Sequence, residues 1–301
     1  MTAIGRVDQR SSQFGGLLRR VFTVLGMRNL VLGASLLFFT FFTLFPVGWM
    51  VLTSFRSDQA IDLHPFEINR QDLSLDQYIR LLTDPYFPFP RWVGNSLIVS
   101  AVSSLIAILV GGIAAYSLGR LRYRGGAAIG LAIFSTYLLP PVLLFIPLRV
   151  LAARLGLPSN SLFTLVLTYL TFLVPFIAWT LSSYFQGLPI ELMEAARIDG
   201  ASRLRAMVVI DIPLILPGAV SMFFFAFTLA WGEYMYALTF MSQKMAYTVP
   251  LGMVNEAHVG DLYYWGKLMA GAVLGSVPVV IIYSFLMDYY LAGMTAGAVK
   301  G

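Results

Sequence analysis

No cysteine occurs among the 301 residues, so the chain forms no disulfide, holds no metal through thiolate and has no cysteine nucleophile. Histidine is nearly as scarce. The two present, His64 and His258, fall in expected loops, which leaves no intramembrane His cluster for a metal or a proton relay. Charged residues make up 12% against 58% hydrophobic, where a soluble domain is about a quarter charged. The phosphate-cradling pattern GxxxxGKS/T is missing, so ATP hydrolysis by this chain itself is not expected. No convergent catalytic groups lie within or beside the apolar runs, which speaks against a membrane-embedded enzyme. The mean hydropathy of +0.78 points to a polytopic membrane protein.

At about 20 apolar residues per spanning helix, six transmembrane helices are expected, near 30–53, 95–119, 127–149, 161–184, 214–239 and 267–290. They make an all-α permease-sized domain over 30–291, between an N-terminal segment, 1–29, and a tail, 292–301. Six spans put both termini on one side, and Lys and Arg near the spans decide which. Twelve of the twenty lie on the terminus side, including Arg6, Arg10, Arg19, Arg20, Arg28, Arg120, Arg122, Arg124 and Lys300. The largest opposite loop, 54–94, holds six acids against four arginines. Both termini are therefore expected in the cytoplasm, with the chain in the cytoplasmic (inner) membrane. The net charge of +5 follows from that topology, and nothing suggests a nucleic-acid groove. The first apolar run is too long for a signal-peptide core and reads as an uncleaved span. Residues 14–28 read as a surface helix with arginines toward lipid headgroups, or as a frayed tail.

Pro46, Pro140, Pro141, Pro175, Pro213, Pro217 and Pro278 fall inside or at the ends of spans, as at a cavity or hinge, or simply as packing. Gly111-Gly112 with Ala114 and Ala115 offers a small surface for close helix approach. In the outer loop 54–94, LSLDQYIRLL (73–82) reads as a short amphipathic helix and FPFPRW (87–92) as a rigid approach to the next span. The outer loop 241–266 is long enough to be a binding surface. Glu233, in TLAWGEYMYALTF within the fifth expected span, is an ionisable group that is costly there unless it faces water or a partner. It is either a polar group on a solute path or a carboxylate near the outer headgroups.

The most informative stretch is a charged island, ELMEAARIDGASRLRAMVVIDIP (191–213), within an expected polar segment 185–213. Pro189 suits a first helical turn, Glu191 and Glu194 suit the helix dipole, Gly200 suits a left-handed helix end, and Ser202 suits the cap of a second helix. Ala195 and Ala196 leave a small-sided face, and Arg197, Arg203 and Arg205 supply charge for a protein surface. A hairpin resting on lipid headgroups is the other reading of the pattern.

Glu194-Ala195-Ala196, Gly200, Ile210 and Pro213 are spaced as in the EAA signature, and the chain resembles the carbohydrate-uptake (maltose-type) branch of ABC importer permeases, in particular the smaller permease subunit. WGEYMYALTFM (231–241), TVPLGM (248–253) and GMTAGAVKG (293–301) are similar to that family in the same order, with Gly232 where many members have Asn. The resemblance implies a type I ABC importer permease fold. It also implies half of a translocation path for a sugar, paired with a second permease, two ATPase subunits and an extracytoplasmic solute-binding protein. ATP and Mg²⁺ are then used by the ATPase, and this chain needs no cofactor. It assigns Glu194, Ala195, Ala196, Arg197, Asp199, Gly200 and Arg203 to coupling, and Trp231, Glu233, Tyr234 and Tyr236 to the solute pathway. Tyr247, Met253, Asn255 and Glu256 are assigned to a loop that reaches the binding protein, and the tail to an ATPase contact. A non-sugar cargo is the nearest alternative, and an ion-coupled secondary transporter a more distant one.

Overall fold

Apolar runs as long as a bilayer is thick must satisfy their own backbone groups, and here they do so as helices. A computed structural model describes the backbone of residues 4–121, 123–259 and 262–298, with side chains between 27 and 284 except 122 and 259–261. Arg122 and Lys300, and the side chains of Arg6, Arg10, Arg19 and Arg20, lie outside the described residues.

Residues 1–53 form one unit, built on α1 (Ile4–Ser54). The helix runs unbroken through 14–28, so the separate surface helix expected there is the first part of a longer rod. Its segment Met27–Ser54 is long and apolar enough to cross a membrane. Phe41 and Phe45 pack ring to ring at 5.5 Å along it.

Residues 54–301 form the second unit. In order it contains α2 (Asp58–Leu63), α3 (Asp76–Thr83), α4 (Phe89–Arg120), α5 (Gly126–Leu138), α6 (Phe145–Arg154), α7 (Leu162–Gly187), α8 (Ile190–Ile198) and α9 (Arg203–Ala206). A π turn (Met207–Asp211) leads into α10 (Ile212–Trp231), followed by α11 (Met235–Phe240), α12 (Val249–Glu256) and α13 (Trp265–Ala298). Between α12 and α13 a small antiparallel hairpin, β1 (His258–Val259) and β2 (Leu262–Tyr263), pairs His258 with Tyr263. The helix expected at 73–82 is α3, and FPFPRW is the start of α4, with Pro90 in the first turn where its missing N–H costs nothing.

Five helices among the described residues are long and apolar enough to cross a membrane, where six were expected. The third expected span, 127–149, is interrupted, because Leu139 and Pro140 each precede a proline and take extended backbone (ψ 126° and 124°). The result is two shorter helices, α5 and α6. The fifth span also differs from 214–239: one helix runs from Arg203 to Trp231, 29 residues, and stops eight residues early. Pro213 does not end it. The turn before the proline widens, with Ile212 N–H donating to Met207 O, which makes room for the ring. The expected tail at 292–301 is largely helix too, since α13 continues to Ala298.

The centre of this unit is α4 packed on α7. Ser103, Ala107, Gly111 and Ala115 recur every fourth residue as a buried small stripe, which lets the backbones approach closely. A Cβ on Gly111 would stand 2.8 Å from Ile177 Cγ2, and one on Gly119 would stand 2.8 Å from the Ser182 carbonyl and 2.7 Å from Phe185 Cβ. Gly112 faces open space, so only part of the expected small surface is used.

Each end of α4 is tied to a distant segment. At the start, Trp92 Nε1 donates to Lys244 O (2.8 Å) and Asn95 Nδ2 to Met245 O (3.0 Å) and Tyr247 O (2.8 Å). At the end, Arg120 donates to Leu188 O (3.0 Å), Pro189 O (3.3 Å) and Asp211 Oδ1 (2.7 Å). Asp211 is fully buried. Arg56, 1% exposed, gathers the outer segment by donating to the carbonyls of Ala60, His64 and Pro65.

Gly119→Ala is expected to destabilise the fold by about 1–3 kcal/mol, because a backbone carbonyl blocks the methyl, while Gly112→Ala stays neutral or gains up to about 1 kcal/mol. Thermal unfolding of the two variants in detergent measures the difference. Asp211→Leu alone leaves a buried guanidinium without its counter-charge and is expected to cost about 3–5 kcal/mol, whereas Arg120→Met with Asp211→Leu recovers most of that loss. A double-mutant cycle on the same assay checks it.

Candidate functional site

The island begins where α7 ends. Pro189 stands as the residue before Ile190, one position ahead of the first turn expected for it, and Glu191 sits in the first turn of α8. Gly200 has φ +87°, its N–H donates to Arg197 O, and Ala201 N–H donates to Ala196 O. This pair of bonds closes the helix around a left-handed residue. Ser202 then accepts from Arg205 N–H at 3.2 Å and caps α9. The local expectations for Gly200 and Ser202 therefore hold. The second arm of the hairpin, however, is the start of the 29-residue helix, so the island is continuous with a span and not set apart from it.

Glu194, Ala195, Arg197, Asp199, Gly200 and Arg203 are exposed and Ala196 is half-buried. Two apolar side chains flank the turn, Ile198 at 86% exposure and Leu204 at 68%. The hairpin thus presents a greasy tip inside a polar ring, joined at its base to α4 by Arg120. In the sequence Arg120 stands out only as a topology charge, and Asp211 carries no expectation. The available signal was Asp211 itself, an acid followed by IPLIL, which needs a partner.

The second element of interest is the break between α10 and α11. Glu233 lies in it. Its Oε1 accepts from Tyr236 N–H (2.8 Å), and its Oε2 accepts from Ala237 N–H (3.2 Å) and from the Tyr169 hydroxyl (2.9 Å). The carboxylate therefore caps α11 and fastens it to α7. A cavity of about 490 Å³ opens beside it, with Glu233, Tyr236 and Thr171 on one wall and Tyr137, Pro140 and Pro141 on the other. Of the four expected pathway residues, Glu233 and Tyr236 reach this cavity. Trp231 is buried on the other side, 5.7 Å from the Phe227 ring, and lines a groove with Val249, Met253, Gly271 and Gly275. Tyr234 is half-buried ahead of α11.

The outer loop is folded onto the unit. Tyr247 is buried with its ring 6.2 Å from Trp92. Met253 is buried against Gly271. Glu256 pairs with Lys244, and Asn255 is half-buried. Tyr247 and Met253 are thus occupied in packing within the unit. Among the described residues of the loop, Met245, Val254, Leu262, Tyr263 and Trp265 expose apolar side chains.

Glu233→Ala is expected to lower stability by about 1–2 kcal/mol through loss of the cap, and Tyr169→Phe by about 1 kcal/mol, both read from thermal unfolding in detergent. An unchanged midpoint for Glu233→Ala would refute the cap.

Residues 91–296 match the family described as "Binding-protein-dependent transport system inner membrane component". The chain is 36% identical over 268 residues to the inner membrane ABC transporter permease protein YcjP of Escherichia coli (strain K12), covering 89% of this chain and 95% of that protein. It is 34% identical to the trehalose/maltose transport system permease protein MalG of Thermococcus litoralis, over 90% of this chain and 96% of that one. A crystal structure of a bacterial ABC transporter involved in the import of alginate aligns with TM-score 0.69 at 22% identity, over 89% of this chain and 96% of that chain. The architecture is that of type I ABC importer permeases, and the chain belongs to the family of binding-protein-dependent transport system inner membrane components.

Proposed function

We propose that the chain is one of two different permease subunits of an ATP-driven sugar importer, and that the Gly200 hairpin is where it meets an ATPase. The observation that carries this is the exposed pair Ile198 and Leu204, held on a capped turn at the head of a helix that runs to the solute side. Apolar side chains that prominent, ringed by Glu194, Arg197, Asp199 and Arg203, suit a partner's cleft better than water.

In this reading the hairpin end and both termini face the cytoplasm, as the distribution of Lys and Arg supports. Two ATPase subunits consume ATP and Mg²⁺ there, since this chain has no phosphate cradle of its own. On the opposite side a solute-binding protein delivers the cargo to the surface around 241–266. A carbohydrate cargo is supported by the trehalose/maltose permease among its relatives and by the aromatic and hydroxyl side chains near Glu233.

Ile198→Asp is expected to leave the chain inserted and folded but to reduce recovery of the ATPase with the tagged chain, and transport with it, by about tenfold or more, because a buried charge without a partner costs several kcal/mol. Purification from native membranes, with mass spectrometry of the co-purified chains, tests this. A wild-type chain recovered without a P-loop ATPase, or an Ile198→Asp chain that retains it in full, would overturn the assignment.

A further inference from the structure

The hairpin that carries Gly200 leaves the bundle and rejoins it at one point. It departs from α7 through Leu188 and Pro189 and returns at Asp211, and a single guanidinium, that of Arg120 at the last residue of α4, holds both ends. Its Nη1 donates to Leu188 O (3.0 Å), and its Nη2 donates to Pro189 O (3.3 Å) and to Asp211 Oδ1 (2.7 Å). No residue of α8 is buried, so the first arm gains little hold from packing, and Val208 and Val209 of the second arm are exposed as well. The frame beneath the clasp is stiff. A Cβ on Gly119 of α4 would stand 2.8 Å from the Ser182 carbonyl, and one on Gly218 of α10 would stand 2.5 Å from the Tyr184 ring, so both helices press closely on the last turns of α7.

The ion pair is not arranged for strength. Arg120 Nε and Asp211 Oδ2 are buried without a hydrogen-bond partner, although a guanidinium and a carboxylate can meet through two parallel bonds. The second bond is given up while the guanidinium reaches the two carbonyls. A buried ion pair adds little net stability over apolar side chains of similar volume, and one bonded through a single oxygen adds less. What it supplies is geometry, because a planar fork fixes the angles among three partners at once. We infer that Arg120 and Asp211 are positioning residues of energy coupling: they close the base of the hairpin, so that a push on its tip moves α4 and α10 together instead of spreading the base. Neither residue belongs to the exposed surface that meets the ATPase in the reading above, on which this inference rests and which it deepens. Without the clasp, a force at Ile198 or Leu204 is taken up by swinging α8 about Leu188, and α10 stays where it is.

The test separates position from stability. Arg120→Met with Asp211→Leu replaces the clasp by apolar side chains that keep the packing, and Arg120→Lys keeps the charge but lacks the fork. Each is made in a chain carrying one reporter, Leu229→Cys, in a sequence that has no other cysteine. Leu229 is exposed in the last turn of α10, far from Asp211. Tyr86→Cys, exposed in the outer segment, is the control. The complexes, with their native partner subunits, are reconstituted in proteoliposomes and treated with a charged methanethiosulfonate, with and without Mg²⁺ and the non-hydrolysable ATP analogue AMP-PNP. Modification of this chain is read by mass. ATP hydrolysis, co-purified subunits and the thermal midpoint are measured on the same preparations.

With the clasp intact, the Leu229→Cys reaction is expected to change about tenfold in rate when nucleotide is added, as when a state populated to about a tenth becomes the majority. With Arg120→Met and Asp211→Leu, the ATPase still co-purifies and hydrolyses ATP and the midpoint is kept, but nucleotide no longer alters the rate. Arg120→Lys loses the response too, and Tyr86→Cys is indifferent throughout. Should the double variant fail to insert, Arg120→Lys alone decides. A double variant that responds as the parent does would show the pair to be structural only and overturn the inference, and so would a variant that loses its ATPase, which would place the pair in docking. A parent complex that holds its ATPase but shows no response at Leu229→Cys would also overturn it; in all three cases the importer reading stands. A parent chain recovered without any ATPase would overturn the importer reading and the inference together.

Discussion

A backbone amide or carbonyl within hydrocarbon has no solvent to bond to, and the way this chain answers that requirement organises the rest of it. Most of the answer is helix. Where the helices stop, polar side chains stand in for the missing backbone partners. Arg120 takes the carbonyls of Leu188 and Pro189, and Glu233 takes the amides of Tyr236 and Ala237. Asn95 takes the carbonyls of Met245 and Tyr247, and Asn160 Oδ1 takes the amides of Ser242 and Gln243. These four side chains are thus spent on the ends of helices, where each also joins two elements distant in sequence.

This changes the meaning of the acid that first invites a solute-binding role. A carboxylate that accepts three bonds from its own chain has little capacity left for cargo. What it provides is placement: α11 begins at a fixed point, Tyr169 is held to it, and Tyr236 is turned toward the cavity. What it arranges along the cavity is a set of hydroxyl and aromatic groups.

The parts legible in the sequence were those whose physics is local. A glycine four residues after Ala196 and a serine two beyond it define a helix end and a helix start within one turn of chain, so the hairpin could be read directly. The apolar runs at 30–53 and 161–184 were also plain, because length and hydropathy suffice. Proline was ambiguous. Pro175, Pro217 and Pro278 remain inside helices, whereas the adjacent Pro140 and Pro141 stop one, and the difference lies in two consecutive residues each forced toward extended backbone. The Arg120–Asp211 pair was hidden because its members are 91 positions apart. The burial of Tyr247 and Met253 was equally hidden, because it depends on Trp92 and α13 and not on the polar residues beside them.

The continuous helix from Arg203 to Trp231 makes the hairpin and the Glu233 break two ends of one lever. Its 29 residues span about 44 Å. The π turn lies in the first third of that helix, where Arg120 holds Asp211, and a widened turn is where a helix bends most readily. A bend of about 5° there would carry Trp231, at the end of the 20 residues of α10 and about 30 Å away, through about 2.6 Å.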